Sequence, residues 1–136
     1  MKKISKNLLL ITGTMLLFIS SCTKDDDSTA DPRDRFTGNW THVEQSANFG
    51  TTTYTISISK SNSDNTNIIV KNFYQLGTST SAIVAVSDNN LTVGQQLVSG
   101  QNIHGSGALT NSKINWTYYT DDGANKDTCT ATSTKQ

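Results

Sequence analysis

Tyr54, Ile56 and Ile58 alternate with Thr55, Ser57 and Ser59, and Ile114, Trp116 and Tyr118 alternate in the same way with Asn115, Thr117 and Tyr119. A two-residue period sends successive side chains to opposite faces, so both stretches read as strands with one apolar face. Similar short segments lie near 39–45, 67–73, 81–87, 91–95, 102–109 and 127–134, which with 53–60 and 113–120 makes a set of eight. Between them stand Ser61-Asn62-Ser63-Asp64-Asn65, Asp88-Asn89-Asn90, Thr110-Asn111-Ser112 and Asp121-Asp122-Gly123. These residues tolerate turn dihedrals or hydrogen-bond their own backbone. Beyond residue 21 no segment combines helical spacing with start and stop caps. The domain is expected to be all-β.

Connection lengths choose among all-β architectures. The widest gaps, 46–52 and 74–80, hold about seven residues each. A Greek-key sandwich needs at least one long return connection. An eight-stranded antiparallel up-and-down meander closing into a small barrel is therefore favoured, with a β-sandwich as the alternative. Gly100, Gly105 and Gly107 cluster on or beside the sixth segment, where glycine marks a bulge or a tight bend. Trp40, Tyr54, Ile56, Ile58, Phe73, Ile83, Ile103, Ile114, Trp116 and Tyr118 suffice to fill such an interior, so a packed barrel is placed ahead of one with an internal pocket.

The amino-terminal pattern is different. Lys2, Lys3 and Lys6 precede an apolar run from Leu8 to Ile19, interrupted only by Thr12-Gly13-Thr14, and Ser20-Ser21 lead into Cys22. This order describes a cleaved secretory signal, and the run is shorter than the ~20 residues a membrane span needs. The expected organisation is a signal peptide over 1–21, an acidic tether over 22–35 containing Asp25-Asp26-Asp27 and Pro32, and one β domain over 36–136. With the leader removed, eight basic residues face eleven acidic ones, a net charge of −3. That balance argues against nucleic acid as a partner. An apolar fraction of 34% implies a thin core and wet outer strand faces.

Ser20-Ser21-Cys22 resembles the lipobox of bacterial lipoproteins, and the resemblance implies lipid on the Cys22 thiol, cleavage before it and acylation of the freed amine. Lys24-Asp25-Asp26-Asp27 is similar to the charged tag that directs some lipoproteins to the outer surface of Gram-negative cells. Gly38-Asn39-Trp40 resembles the Gly-x-Trp that opens the first strand of lipocalin-like barrels. That implies a barrel floor supplied by Trp40, with Gly38 admitting the chain close to it. Lipocalins also stack an arginine from beyond the last strand on this tryptophan, and only Lys126 or Lys135 stands there in this chain. The resemblance as a whole is to small lipocalin-like lipoproteins: outer-membrane, lipid-anchored, surface-facing, with any pocket at the end away from Trp40.

Candidate chemistry is sparse. His42 and His104 lie on separate segments without the companion ligands of a metal site. With Cys22 assigned to lipid, Cys129 has no internal disulfide partner and is expected as a small buried hydrophobe. Asp121-Asp122-Gly123 is read as a hairpin turn rather than a calcium loop. No catalytic, metal or cofactor residues are assigned, and Tyr74 and Tyr119 are the tentative ligand contacts. The expectation is a monomeric, non-enzymatic envelope module that binds a small apolar molecule or another surface component. Two alternatives stand beside it. One is a glycan-handling enzyme or accessory domain, which would have to gather at least two of His42, His104, Cys129, Glu44 and the aspartates. The other is a structural, adhesin-type subunit.

Overall fold

The computed structural model describes residues 30–136; the leader, Cys22 and the tether as far as Thr29 lie outside the described residues. Eight strands follow in order: β1 (Gly38–Ser46), β2 (Gly50–Lys60), β3 (Asn67–Lys71), β4 (Ser81–Ser87), β5 (Asn90–Val98), β6 (Gln101–Thr110), β7 (Lys113–Asp121) and β8 (Lys126–Lys135). Each pairs antiparallel with its chain neighbours, and β1 returns to β8 from Trp40↔Lys135 to Ser46↔Cys129. The all-β, eight-stranded meander closed into a barrel is thus the observed fold, and the sandwich alternative is discarded. Closure removes both sheet edges, which in an open meander would be left with unpaired backbone groups.

The barrel has two unlike ends. The chain enters beneath one of them through a 3-10 helix, Pro32–Arg35, and the turns at 61–66, 88–89 and 111–112 lie at that same end. Phe36 and Trp40 are buried there, and the Trp40 indole Nε1–H donates to the Phe36 carbonyl at 2.8 Å. Lys135 Nζ sits 5.5 Å from the Trp40 ring centroid. The lysine that ends β8 therefore covers the tryptophan, in the place that the lipocalin resemblance gives to an arginine. At the opposite end are the turns at 47–49, 99–100 and 122–125 and the longer β3–β4 loop.

Several expectations need correction. The segment read as tether does not stay extended up to residue 35. Arg33 is buried, its guanidinium donating to Asp31 and to the carbonyls of Ser61, Asp64 and Asn67, so Asp31–Arg35 is clamped to the β2–β3 turn. A charged side chain, satisfied by four partners, ties this otherwise polar segment to the domain. The third strand stops at Lys71 instead of reaching Phe73, because Asn72 takes a left-handed φ of 61° and a 3-10 turn, Phe73–Gln75, follows. The fifth strand runs on to Val98 through a register shift between Val93 and Gln96, so the irregularity falls on β5 opposite His104, and Gly105 and Gly107 stay paired in register. Ile83 points outward and is 53% exposed.

Gly105 and Gly107 have a different purpose. They pair with Tyr118 and Trp116, and a Cβ on Gly105 would stand 2.5 Å from the Tyr118 Cβ and one on Gly107 2.7 Å from the indole of Trp116. Bare backbone on β6 makes room for two large rings from β7 inside a narrow barrel. Those rings join Ile56, Ile68, Val70, Val84, Leu91, Ile103 and Ile114 in one continuous core. Truncating the floor tests this packing. Trp40→Ala is expected to cost about 3–5 kcal/mol, as for other buried tryptophans, and Lys135→Ala about 0.5–1 kcal/mol as an exposed cation–π contact. Urea midpoints measure both, and an unshifted Trp40→Ala midpoint would remove Trp40 from the core.

Candidate functional site

The inward positions of β1 are Trp40, His42, Glu44 and Ser46, while Val43 faces solvent at 43% exposure. One strand therefore turns its polar residues inside. They meet partners on three neighbouring elements. His42 Nδ1 lies 2.7 Å from the Ser133 hydroxyl of β8, which also accepts the Trp116 indole N–H at 3.0 Å. Glu44 Oε2 accepts the phenol of Tyr54 at 2.5 Å and that of Tyr118. Nearer the open end, Asp127 Oδ2 accepts Ser46 at 2.5 Å and Tyr74 at 2.9 Å, with the Cys129 thiol at 3.6 Å. The Asn48 amide donates to its other oxygen at 3.2 Å. Buried carboxylates survive in such surroundings only when hydrogen-bonded in this way.

Burial sets the charge states. It pushes His42 down to about 4, so the imidazole is neutral near pH 7. Burial, then the Glu44 carboxylate, pushes Tyr54 far up, and burial with Tyr54 and Glu44 does the same to Tyr118. Both phenols stay protonated donors. Tyr74 is pushed up to about 12, chiefly by burial. For Asp127, burial opposes ionisation, but the hydrogen bonds from Ser46, Tyr74, Asn48 and Cys129 outweigh it and hold the carboxyl below its ordinary range. Burial pushes the Cys129 thiol well up, with Glu44 and Asp127 adding to the effect. A thiol held protonated is a poor nucleophile. The cluster is built to hold hydrogen bonds in place.

One atom of this cluster is left over. His42 Nε2 is buried without a hydrogen-bond partner, and Glu44 Oε2 is 3.9 Å away. Glu44 Oε2 is the charged group nearest Nε2, so the single proton of the neutral imidazole is assigned to Nε2, and Nδ1 accepts from the Ser133 hydroxyl. An unpaired buried donor in an aromatic interior is costly unless something else accepts from it.

Of the residues considered from sequence, His42 with Glu44 and Cys129 with Asp127 come together inside the barrel. His104 does not join them. It lies on the outer face, its ring stacked on Tyr119 at 5.1 Å and 22°. The two tentative contact residues lie on different faces: Tyr74 turns its hydroxyl to the buried Asp127, while Tyr119 is 43% exposed in an outer groove of about 300 Å3 with His104, Asp121 and Lys126. Asp121 and Asp122 accept the amides of Gly123, Ala124 and Asn125, which makes that segment a hydrogen-bonded turn. Cys129 is fully buried. Among the described residues, no three His, Cys, Asp or Glu converge as metal ligands. Sequence reasoning missed Ser46, Ser133 and the inward facing of the whole polar row. The signal was present, because two-residue steps from a buried Trp40 reach His42, Glu44 and Ser46.

No family model matches the chain, and no curated protein matches it in sequence. Among solved structures, EF1p2_mFAP2b bound to DFHBI matches with a TM-score of 0.53 at 12% identity. The match covers 79% of this chain and 100% of that one. At that identity the two share a fold and nothing finer.

The neutral, buried His42 makes stability depend on pH. Its folded pKa of about 4 lies below the ordinary 6.5. Between these values the unfolded chain binds a proton that the folded one refuses, so stability falls as pH drops from about 6.5 to about 4. The loss is on the order of 3 kcal/mol. Asp127, whose folded pKa is depressed, loses its contribution only below the ordinary aspartate value of 3.8. Urea titrations across this interval should show the slope, and His42→Gln should flatten it. A slope that survives in His42→Gln would assign the effect elsewhere.

Proposed function

We propose that this protein is a lipid-anchored, non-enzymatic binding module of the bacterial outer membrane, displayed on the cell surface, whose barrel takes a small ligand at the end opposite Trp40. The observation that carries the binding half is the inward row of His42, Glu44 and Ser46 together with Tyr54, Tyr118 and Asp127. Apolar side chains alone could fill a barrel of this size, so a polar and aromatic interior is better explained by recognition than by folding. A fold shared with a protein solved with DFHBI is compatible with that reading.

The anchoring half rests on Lys2-Lys3, the apolar run, Ser20-Ser21-Cys22 and the acidic run behind it. Asp31 is clamped at the Trp40 end, and the nine residues from Cys22 to Asp31 span at most about 32 Å. An anchor at Cys22 therefore keeps the floor towards the membrane and leaves the other end free to meet a ligand. The neutral imidazole, the protonated thiol and the phenols held as donors favour binding over catalysis.

Two measurements test the two halves separately. Cys22→Ala should abolish labelling of the expressed chain by an alkynyl fatty acid and release it from the membrane fraction; labelling that persists contradicts the anchor. Native mass spectrometry of the wild-type chain purified from its membrane should show a retained small molecule. A bare mass, with no small molecule bound from an extract of the same cells, contradicts the ligand.

A further inference from the structure

The β3–β4 loop carries the most strained backbone in the described chain. Asn72, Tyr74 and Gln75 have φ of 61°, 52° and 54°, in a left-handed region that non-glycine residues rarely adopt. Such strain collects at ligand clamps and switches, where the surroundings hold it in place. Here it drives one side chain, Phe73, into the barrel interior. Phe73 is 1% exposed, and its ring centroid lies 4.5 Å from that of Tyr118, 5.3 Å from Trp116 and 6.1 Å from His42. A ring delivered by a loop, not by a strand, occupies the aromatic cage.

The wall beside that loop is the least zipped in the barrel. β4 pairs with β5 only from Ala85↔Thr92 to Ser87↔Asn90, at the Trp40 end. Towards the open end the ladder stops, and the Gln96 side chain bridges the gap by accepting from Ile83 N at 2.8 Å and donating to Ile83 O at 2.7 Å. The loop itself is tied down by few side-chain bonds, chiefly Asn72 to the Thr55 carbonyl and Tyr74 to Asp127, both at 2.9 Å. A strained loop, a part-open seam and a single inserted ring stand together at one corner.

Behind Phe73 lies the unpartnered Nε2–H of His42, with the Glu44 carboxylate 3.9 Å from it. A hydroxyl oxygen can accept from the imidazole and donate to the carboxylate at once. We propose that Phe73 is a displaceable plug holding the place of a phenol-class ligand, a planar aromatic ring whose hydroxyl bridges His42 and Glu44, and that the β3–β4 loop with the adjoining β4–β5 seam is its door. This deepens the small-ligand reading above and rests on it, adding the ligand class and the entry route.

The test compares 2-naphthol, naphthalene and dodecanoate as probes on the full chain, read by quenching of tryptophan fluorescence and by calorimetry. Phe73→Ala should bind 2-naphthol about tenfold or more tightly than wild type does, and about tenfold more tightly than it binds naphthalene. A folded Phe73→Ala that binds neither aromatic, or binds both equally, overturns the proposal. Dodecanoate taken up by wild type and variant alike, with no preference for naphthol, overturns the phenol class and the plug while leaving the small-ligand reading intact. Hydrogen exchange on wild type decides the matter even if Phe73→Ala does not fold. Amides of residues 72–80 should exchange faster than those of β3 and β4, and saturating 2-naphthol should change their exchange at least threefold (about 0.6 kcal/mol). Exchange in that loop as slow as in the strands, or untouched by 2-naphthol, overturns the door.

Discussion

Pairing of β1 with β8 is the constraint on which everything else in this molecule depends. Without it the meander is an open sheet with two unpaired edges, and one face of every strand meets water. With it, every second residue of eight strands is committed to a narrow interior. The alternation of β1 then carries consequences beyond its own strand. Trp40 is placed at the floor, and His42, Glu44 and Ser46 are drawn inside behind it, whatever burial costs them.

That cost explains the chemistry of the interior. A buried carboxylate or imidazole is tolerable only with partners, and these are drawn from strands far apart in sequence: Tyr54 from β2, Tyr118 and Trp116 from β7, Ser133 and Asp127 from β8. The rings of β7 have room because β6 presents Gly105 and Gly107 opposite them. The apolar core and the polar cluster are thus interleaved in one interior. Among the described residues, the buried side-chain atoms without a partner are His42 Nε2 and the Thr52 hydroxyl.

The strained loop and the short β4–β5 ladder fit the same picture. Stability in the barrel is distributed unevenly, with long ladders on the β1–β2, β6–β7 and β7–β8 seams and a brief one between β4 and β5. Local opening favours segments held by few backbone hydrogen bonds. The clamp of Arg33 and Asp31 on the β2–β3 turn, reinforced by Lys60, stiffens the opposite end. One end is built to stay shut, and the other is closed by a side chain that a loop has put there.

Most of the architecture was legible in the sequence, because period-two alternation and turn residues are local signals. Strand number, order and short connections follow from residues within a few positions of each other, while the Trp40 floor, and Lys135 as one of two candidates for the arginine's place, came from the resemblance of Gly38-Asn39-Trp40 to lipocalin-like barrels. The buried fate of Arg33 and the outward Ile83 were not legible, since each depends on which neighbour happens to lie opposite. The candidate site falls between. Stepping by two from Trp40 places His42 and Glu44 inside, but nothing local says that Tyr54, Tyr118, Ser133 and Asp127 will meet them there or that Phe73 will enter from a loop. Sequence by itself determined the strands and the faces they present, since those obey backbone geometry. Only the closed barrel settled which polar groups found partners and which did not, because that depends on register across residues up to about ninety positions apart.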